Sequence, residues 1–334
     1  MSKNYSLFLS TFASALLPFI LFLGFSKEDV KSPFLRNFSG NKLERRGHFE
    51  VDFKASKIKF DNDLFIYNYD AGQIIRFDTA GTFVNAYGNL GTSPGEFQVV
   101  TDYSVFNNTL KVLDLRRKSL SVFDLENSTL LSEIRLSKPF NKGSILSDST
   151  FVITDTDSLN NTRFSVYNSA GKLLQKKLEY DDLKDGGFAT DGILIKADDQ
   201  FFHFCYHVSY FVSFDHRLQL KYRAKTVENH FILPPVIRDG ENSYLSPEAK
   251  TLSYDGCADD AYIYILSAEV ADNESRDDFD QNSPVDVYDS NTGRYLRTFY
   301  IPRFKGFKVR SIAKAGKGFY TIQGNSIIYY EERS

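Results

Sequence analysis

The sequence predicts an all-β fold, a six-bladed β-propeller whose last blade is closed by an N-terminal strand. Three observations predict it. A short motif, an alternating apolar strand ending in an aromatic and then Asp, Asn or Glu, occurs six times along the 334 residues. Four strand-like stretches fill a typical interval of roughly 45 residues, the pattern of a propeller blade. The sixth copy ends three residues before Ser334, with no room for a fourth strand.

The chain opens on Lys3 and then runs uncharged from Leu7 to Phe25, the pattern of a secretory signal. Gly24 and Ser26 offer a small-residue pair for cleavage after Ser26. The same stretch is nearly long enough to span a bilayer, so an uncleaved anchor is the alternative. Either way residues 1–26 predict that the rest is exported, to the periplasm, the cell surface or an outward-facing membrane anchorage. Residues 27–54 read as a lead-in containing the ring-closing strand, with Phe34–Phe38 and Phe49–Phe53 as its candidates. Residues 55–334 read as the propeller.

The repeat runs through Ile74–Asp78, Leu120–Asp124, Phe164–Asn168, Phe211–Asp215, Val285–Asp289 and Ile327–Glu331. Positions 78, 124, 168, 215, 289 and 331 are spaced by 46, 44, 47, 74 and 42 residues. Several copies lead into a turn, as in Asp78-Thr79-Ala80-Gly81, Asn168-Ser169-Ala170-Gly171 and Asp289-Ser290-Asn291-Thr292-Gly293. An Asx side chain can accept from backbone N–H groups just ahead of it, and Gly takes a positive φ without a Cβ clash. A further strand follows each of the first five copies, the first being Phe83–Tyr87, and another precedes it, the first being Leu64–Asn68. A ring closed by an N-terminal strand leaves no long sheet edge. A β-sandwich would leave the truncated sixth copy unexplained.

Composition agrees. The 31 Phe and 20 Tyr, with no Trp and one Met, suit pleated, half-buried surfaces. A net charge of −3 without a basic run argues against nucleic acid as a partner. Cys205 and Cys257 are too few for a disulfide framework and read as free thiols, with a single bridge as the alternative.

The first full blade, Leu64–Asn68 then Ile74–Phe83, resembles an NHL repeat, and the stretch Tyr87-Gly88 through Pro94-Gly95-Glu96-Phe97 resembles that family's glycine-rich connector. The clear match covers about 90 residues. As a whole the chain is similar to exported bacterial six-bladed propellers of the NHL-like or TolB-like kind. That resemblance implies fold and location. Its members include binders of proteins, peptides or glycans, and lyases and lactonases, so no chemistry follows from it.

In a propeller blade strands a to d run outward, and the d–a and b–c connections share one face. The long intervals 179–191, 224–250 and 267–284 are all of these two kinds, so one face carries them. Long loops on a rigid scaffold tend to carry function. His207, Arg238, Tyr244, Asp277, Asp278 and Asp280 are the candidate ligand-face residues. His203, Cys205 and His207 alternate along one strand, a donor set that suits zinc, although a straight strand spreads them over about 13 Å. Asp272, Glu274, Asp277, Asp278 and Asp280 crowd one stretch and are candidate calcium ligands, without the spacing of known calcium loops. No nucleophile–base pair or metal-hydrolase motif is present. The expectation is a binding module for a protein, peptide or glycan, touching a membrane only through the N-terminal segment. The alternatives are a lyase or lactonase with a metal in the axial channel, and a sensory ectodomain.

Overall fold

The computed structural model describes residues 33–39, 43–156, 161–180, 189–239 and 242–332. Residues 1–26, on which the signal or anchor expectation rests, lie outside them. Among the described residues no helix is long and apolar enough to cross a membrane.

The strands are β1 (Leu43–Glu50), then blade 1 as β2 (Ala55–Asp61), β3 (Asp63–Asn68), β4 (Gln73–Phe77) and β5 (Phe83–Tyr87). Blade 2 is β6 (Val100–Phe106), β7 (Thr109–Asp114), β8 (Ser119–Asp124) and β9 (Leu130–Arg135). Blade 3 is β10 (Lys142–Ile145), β11 (Thr150–Thr156), β12 (Thr162–Asn168) and β13 (Leu173–Leu178). Blade 4 is β14 (Gly192–Lys196), β15 (Gln200–Cys205), β16 (Tyr210–Asp215) and β17 (Leu220–Lys225). A hairpin of β18 (Val236–Asp239) and β19 (Asn242–Leu245) follows. Blade 5 is β20 (Ser253–Ala258), β21 (Tyr262–Ser267), β22 (Asn282–Asp289) and β23 (Tyr295–Pro302), with helix α1 (Arg276–Gln281) between its second and third strands. Blade 6 is β24 (Ser311–Ala315), β25 (Gly318–Gln323) and β26 (Ser326–Glu332), completed by β1.

Each blade is a four-stranded antiparallel sheet. The hairpins form as the turn chemistry dictates. Asp78 Oδ1 accepts from the N–H groups of Ala80 and Thr82, Asn168 Oδ1 from those of Ala170 and Lys172, and Asp215 Oδ1 from those of Arg217 and Gln219. Asp124 and Asp289 do the same at their turns. Gly81 sits at φ +86° and Gly171 at +76°, where a Cβ would be strained.

Six apolar clusters lie between successive blades. Tyr67, Ile74, Tyr103 and Val112 join blades 1 and 2, and Leu113, Leu120, Phe151 and Ile153 join blades 2 and 3. Comparable clusters join the next three pairs. The sixth, with Ile322, Ile327, Ala55, Ile66 and Phe77, packs blade 6 against blade 1. Burial of apolar surface therefore closes the ring, at roughly 25 cal/mol per Å².

The closing strand differs from both sequence candidates. It is Leu43–Glu50, antiparallel to β26 with Leu43 opposite Glu332 and Glu50 opposite Ser326. Strand d is the outermost of a blade, and β1 is mostly solvated along its length. It needs no apolar signature, so a search for apolar stretches passes over it. Phe34–Phe38 instead lies as an extended segment against blade 5.

Candidate functional site

Because neighbouring strands are antiparallel, the d–a and b–c connections of all blades emerge together. The structure bounds the long ones at 179–191, 226–252 and 268–281. They join blade 3 to blade 4, blade 4 to blade 5, and the second and third strands of blade 5, so they belong to one sector of that face. Two contain regular structure that the sequence reading treated as loop: the β18–β19 hairpin and α1.

Each insertion is pinned to the ring. Tyr180 is buried and shares a hydrogen bond with His203 Nδ1 at 2.8 Å. Glu179, also buried, accepts from Arg223 Nε at 2.6 Å. In the second insertion His230 N donates to Ser209 Oγ and Val227 N to Tyr288 OH. This segment nonetheless leaves apolar surface in solvent: Ile232 is 74% exposed, Tyr244 46%, Phe231 43% and Ile237 37%.

The third insertion grips the lead-in. Asp272 accepts from Phe34 N, and Asn273 brackets Arg36 by accepting from its N–H and donating to its carbonyl. The Arg36 side chain then enters blade 5 completely. Its Nη1 meets Glu274 Oε2 at 2.5 Å, its Nε meets Asp286 Oδ1 at 3.0 Å, and its Nη2 donates to Ser267 Oγ. All three charged side chains are fully buried. Glu228 joins them through Ser267 Oγ, and its other carboxylate oxygen has no hydrogen-bond partner. Burial, then the neighbouring Asp286, pushes the Glu228 carboxyl up to about 7.

The sequence candidates fall as follows. His207 lies on this face, just beyond β15, with its Nδ1 at 2.7 Å from the Lys250 carbonyl. Tyr244 stands exposed on β19. Arg238 is in β18 opposite Ser243, and its side chain lies outside what the structure describes. Asp277 and Asp278 occupy the first turn of α1, which Ser275 caps, and Asp280 pairs with Arg276. The acidic stretch is thus divided between a helix and the grip on residues 34–36.

His203, Cys205 and His207 do not converge. The strand ends at Cys205, so the alternation that put all three on one side stops before His207. His203 is buried against Phe164 and Tyr180, and burial drives its imidazole down to about 3. Burial likewise pushes the Cys205 thiol up to about 12, so it stays protonated. Cys205 and Cys257 are both free. Among the described residues no three His, Cys, Asp or Glu side chains gather into a metal-holding group. The zinc and calcium expectations therefore have no donor set here.

What the sequence reading missed is the basic lining of the axial channel. The channel encloses a cavity of about 470 Å³ lined by the innermost strands of all six blades. Lys57, Lys59, Lys142, Lys196, Arg310 and Lys314 line it, against the carboxylates Asp102 and Asp255. The signal was present as period-2 lysines in Ala55-Ser56-Lys57-Ile58-Lys59-Phe60, but only a closed ring turns that face inward. Such a lining repels a cation, which disfavours a metal-dependent lyase or lactonase built on the axis.

A family model described as 6-bladed beta-propeller, DUF5128, matches residues 42–230. No curated protein matches the chain. Among solved structures it is similar to a protein described as exported, from Bacteroides fragilis NCTC 9343, at 15% identity and a TM-score of 0.55, covering 92% of this chain and 98% of that one. It is also similar to the beta-propeller domain of Cps50 (Swd1) from Myceliophteria thermophila, at 9% identity and a TM-score of 0.50, covering 87% and 100%. At these identities the likeness is one of fold.

Proposed function

Since the chain belongs to the DUF5128 family of 6-bladed beta-propellers, we propose that it is an exported binding module that captures a protein or peptide on the face carrying residues 179–191, 226–252 and 268–281. One observation carries this reading. The segment of Phe231, Ile232, Ile237 and Tyr244 holds its apolar side chains in solvent on the face where the long insertions gather. Exposed apolar and aromatic side chains on a pinned loop present contact area at low ordering cost. His207 and Tyr244 belong to this surface, and Asp277, Asp278 and Asp280 form its acidic margin. Export is supported by the Leu7–Phe25 stretch. The NHL-like reading of blade 1 is supported by the connector in which Phe97 N donates to the Asn89 carbonyl at 2.7 Å.

The test replaces Phe231 and Ile232 together by Ser and measures partner recovery with the purified protein from an envelope extract. The outer-strand variant Leu131→Ser serves as control, because Leu131 is also exposed. Recovery falls by about tenfold or more in the double variant and is unchanged in the control. Equal recovery from both variants refutes the reading.

A further inference from the structure

We infer that the axial channel is a binding site for a small anion carrying at least two negative charges, of phosphate or carboxylate chemistry. The site lies toward the end of the channel opposite the insertions. Lys59, Lys196 and Lys314 all stand near the ends of β2, β14 and β24 that lead to strand b, and they line the cavity. The inference is therefore independent of the recognition face proposed above.

The channel lining carries more positive than negative side chains. Asp102 is the carboxylate that Lys57, Lys59 and Lys196 share. Its Oδ1 meets Lys59 Nζ at 2.5 Å and Lys57 Nζ at 3.4 Å. Its Oδ2 accepts from Ile145 N at 2.9 Å and Ser144 Oγ at 3.1 Å. Both oxygens are thus occupied and the carboxylate is fixed between blades 2 and 3. Lys196 enters from the blade opposite β2, within electrostatic reach of both Lys59 and Asp102. It packs over the Phe106 ring, 4.3 Å from its centroid, and no carboxylate is within ion-pair distance of it among the described residues.

Three ammonium groups therefore act on one saturated carboxylate in a space walled by protein. Burial pulls the Lys59 ammonium below its ordinary value, and Lys57 and Lys196 add to that against the single pull of Asp102. Asp198 and Asp61 act on Lys196 alongside Asp102, and the excess of positive charge comes from the whole lining, which adds Arg310 and Lys314. Asp255, the other carboxylate of the lining, is engaged by the backbone N–H of Ile312 at 3.1 Å. Ammonium groups are compact point charges with rotatable donors and suit phosphate and carboxylate oxygens. The cavity has the size of an ordinary metabolite pocket.

The experiment titrates the full chain at pH 7 with inorganic phosphate and, separately, with citrate, at an ionic strength held constant with potassium chloride. Binding is read by calorimetry. At least one probe binds saturably, with Kd below about 1 mM. Lys196→Met weakens it by about tenfold or more, the loss of one charge-assisted contact. Asp102→Asn, which removes the competing carboxylate and keeps the side chain's shape, tightens it, an effect no merely structural role would give. Lys221→Met on the outer strand β17 leaves it unchanged. Binding of phosphate alone identifies a phosphoryl ligand, and binding of citrate alone a polycarboxylate. No saturable binding of either probe overturns the inference. So does binding that Lys196→Met leaves intact, or that Asp102→Asn weakens.

Discussion

Replacing Arg36 by Ala is the sharpest perturbation the structure offers. The guanidinium is fully buried and is the cation facing Glu274, Asp286 and, through Ser267, Glu228. Its removal leaves buried carboxylates without a counter-charge and Ser267 Oγ without its donor. Breaking a buried ion pair by deleting one partner costs about 3–5 kcal/mol, because the remaining charge stays out of water. Two pairs share this cation, so the upper part of that range is expected at pH 8. The cost should also depend on pH. A buried carboxyl whose folded-state affinity for protons exceeds that of the unfolded chain stabilises the folded state most when protonated. That contribution is lost as pH rises. Glu228 already behaves this way, pushed up to about 7 by burial and then by Asp286. With the cation gone the cluster relieves itself by taking up protons, so the penalty should shrink between pH 8 and pH 5. Urea denaturation of wild type and variant at both pH values, followed by far-UV circular dichroism, measures it. A loss below about 1 kcal/mol, the size of a surface pair, or an equal loss at both pH values would refute the reasoning.

Three further outcomes follow. Glu228→Gln removes a carboxyl that costs stability as pH rises from 4.5 through about 7, so the variant is more stable than wild type at pH 8, and the difference narrows by pH 5 and closes below pH 4.5 in the same urea titrations. Gly88→Ala places a Cβ at φ +73° and 2.2 Å from a ring carbon of the fully buried Phe97, and its midpoint in urea should correspond to a loss of about 2 kcal/mol or more. A chain beginning at Val51, and therefore lacking β1, exposes the β26 edge and should elute as aggregate in size-exclusion chromatography, whereas a chain beginning at Pro33 elutes as a discrete folded species.

The blades were legible because their signals are local. Asp78, Asn168 and Asp215 bond backbone groups two to four residues ahead, and that chemistry is written in consecutive residues. The common face of the insertions followed from strand order alone. The closing strand was misplaced because β1 is an outermost, solvated strand, and Leu43-Glu44-Arg45-Arg46 carries no apolar alternation. The Arg36 cluster was illegible for another reason: its partners lie more than 200 residues away, brought together only by ring closure. The same holds for the channel, where Lys59 and Lys196 come from blades on opposite sides of the axis. The alternation of His203, Cys205 and His207 misled because a period of two has meaning only within a strand, and this one ends at Cys205.

The most direct test of the recognition face is site-specific photo-crosslinking in intact cells. A benzophenone amino acid replaces Tyr244 on the insertion face in one variant and Tyr262, exposed at the opposite face, in another. The account predicts a discrete cross-linked partner from position 244 and none from 262. Adducts from 262 alone, or from neither position, would contradict it.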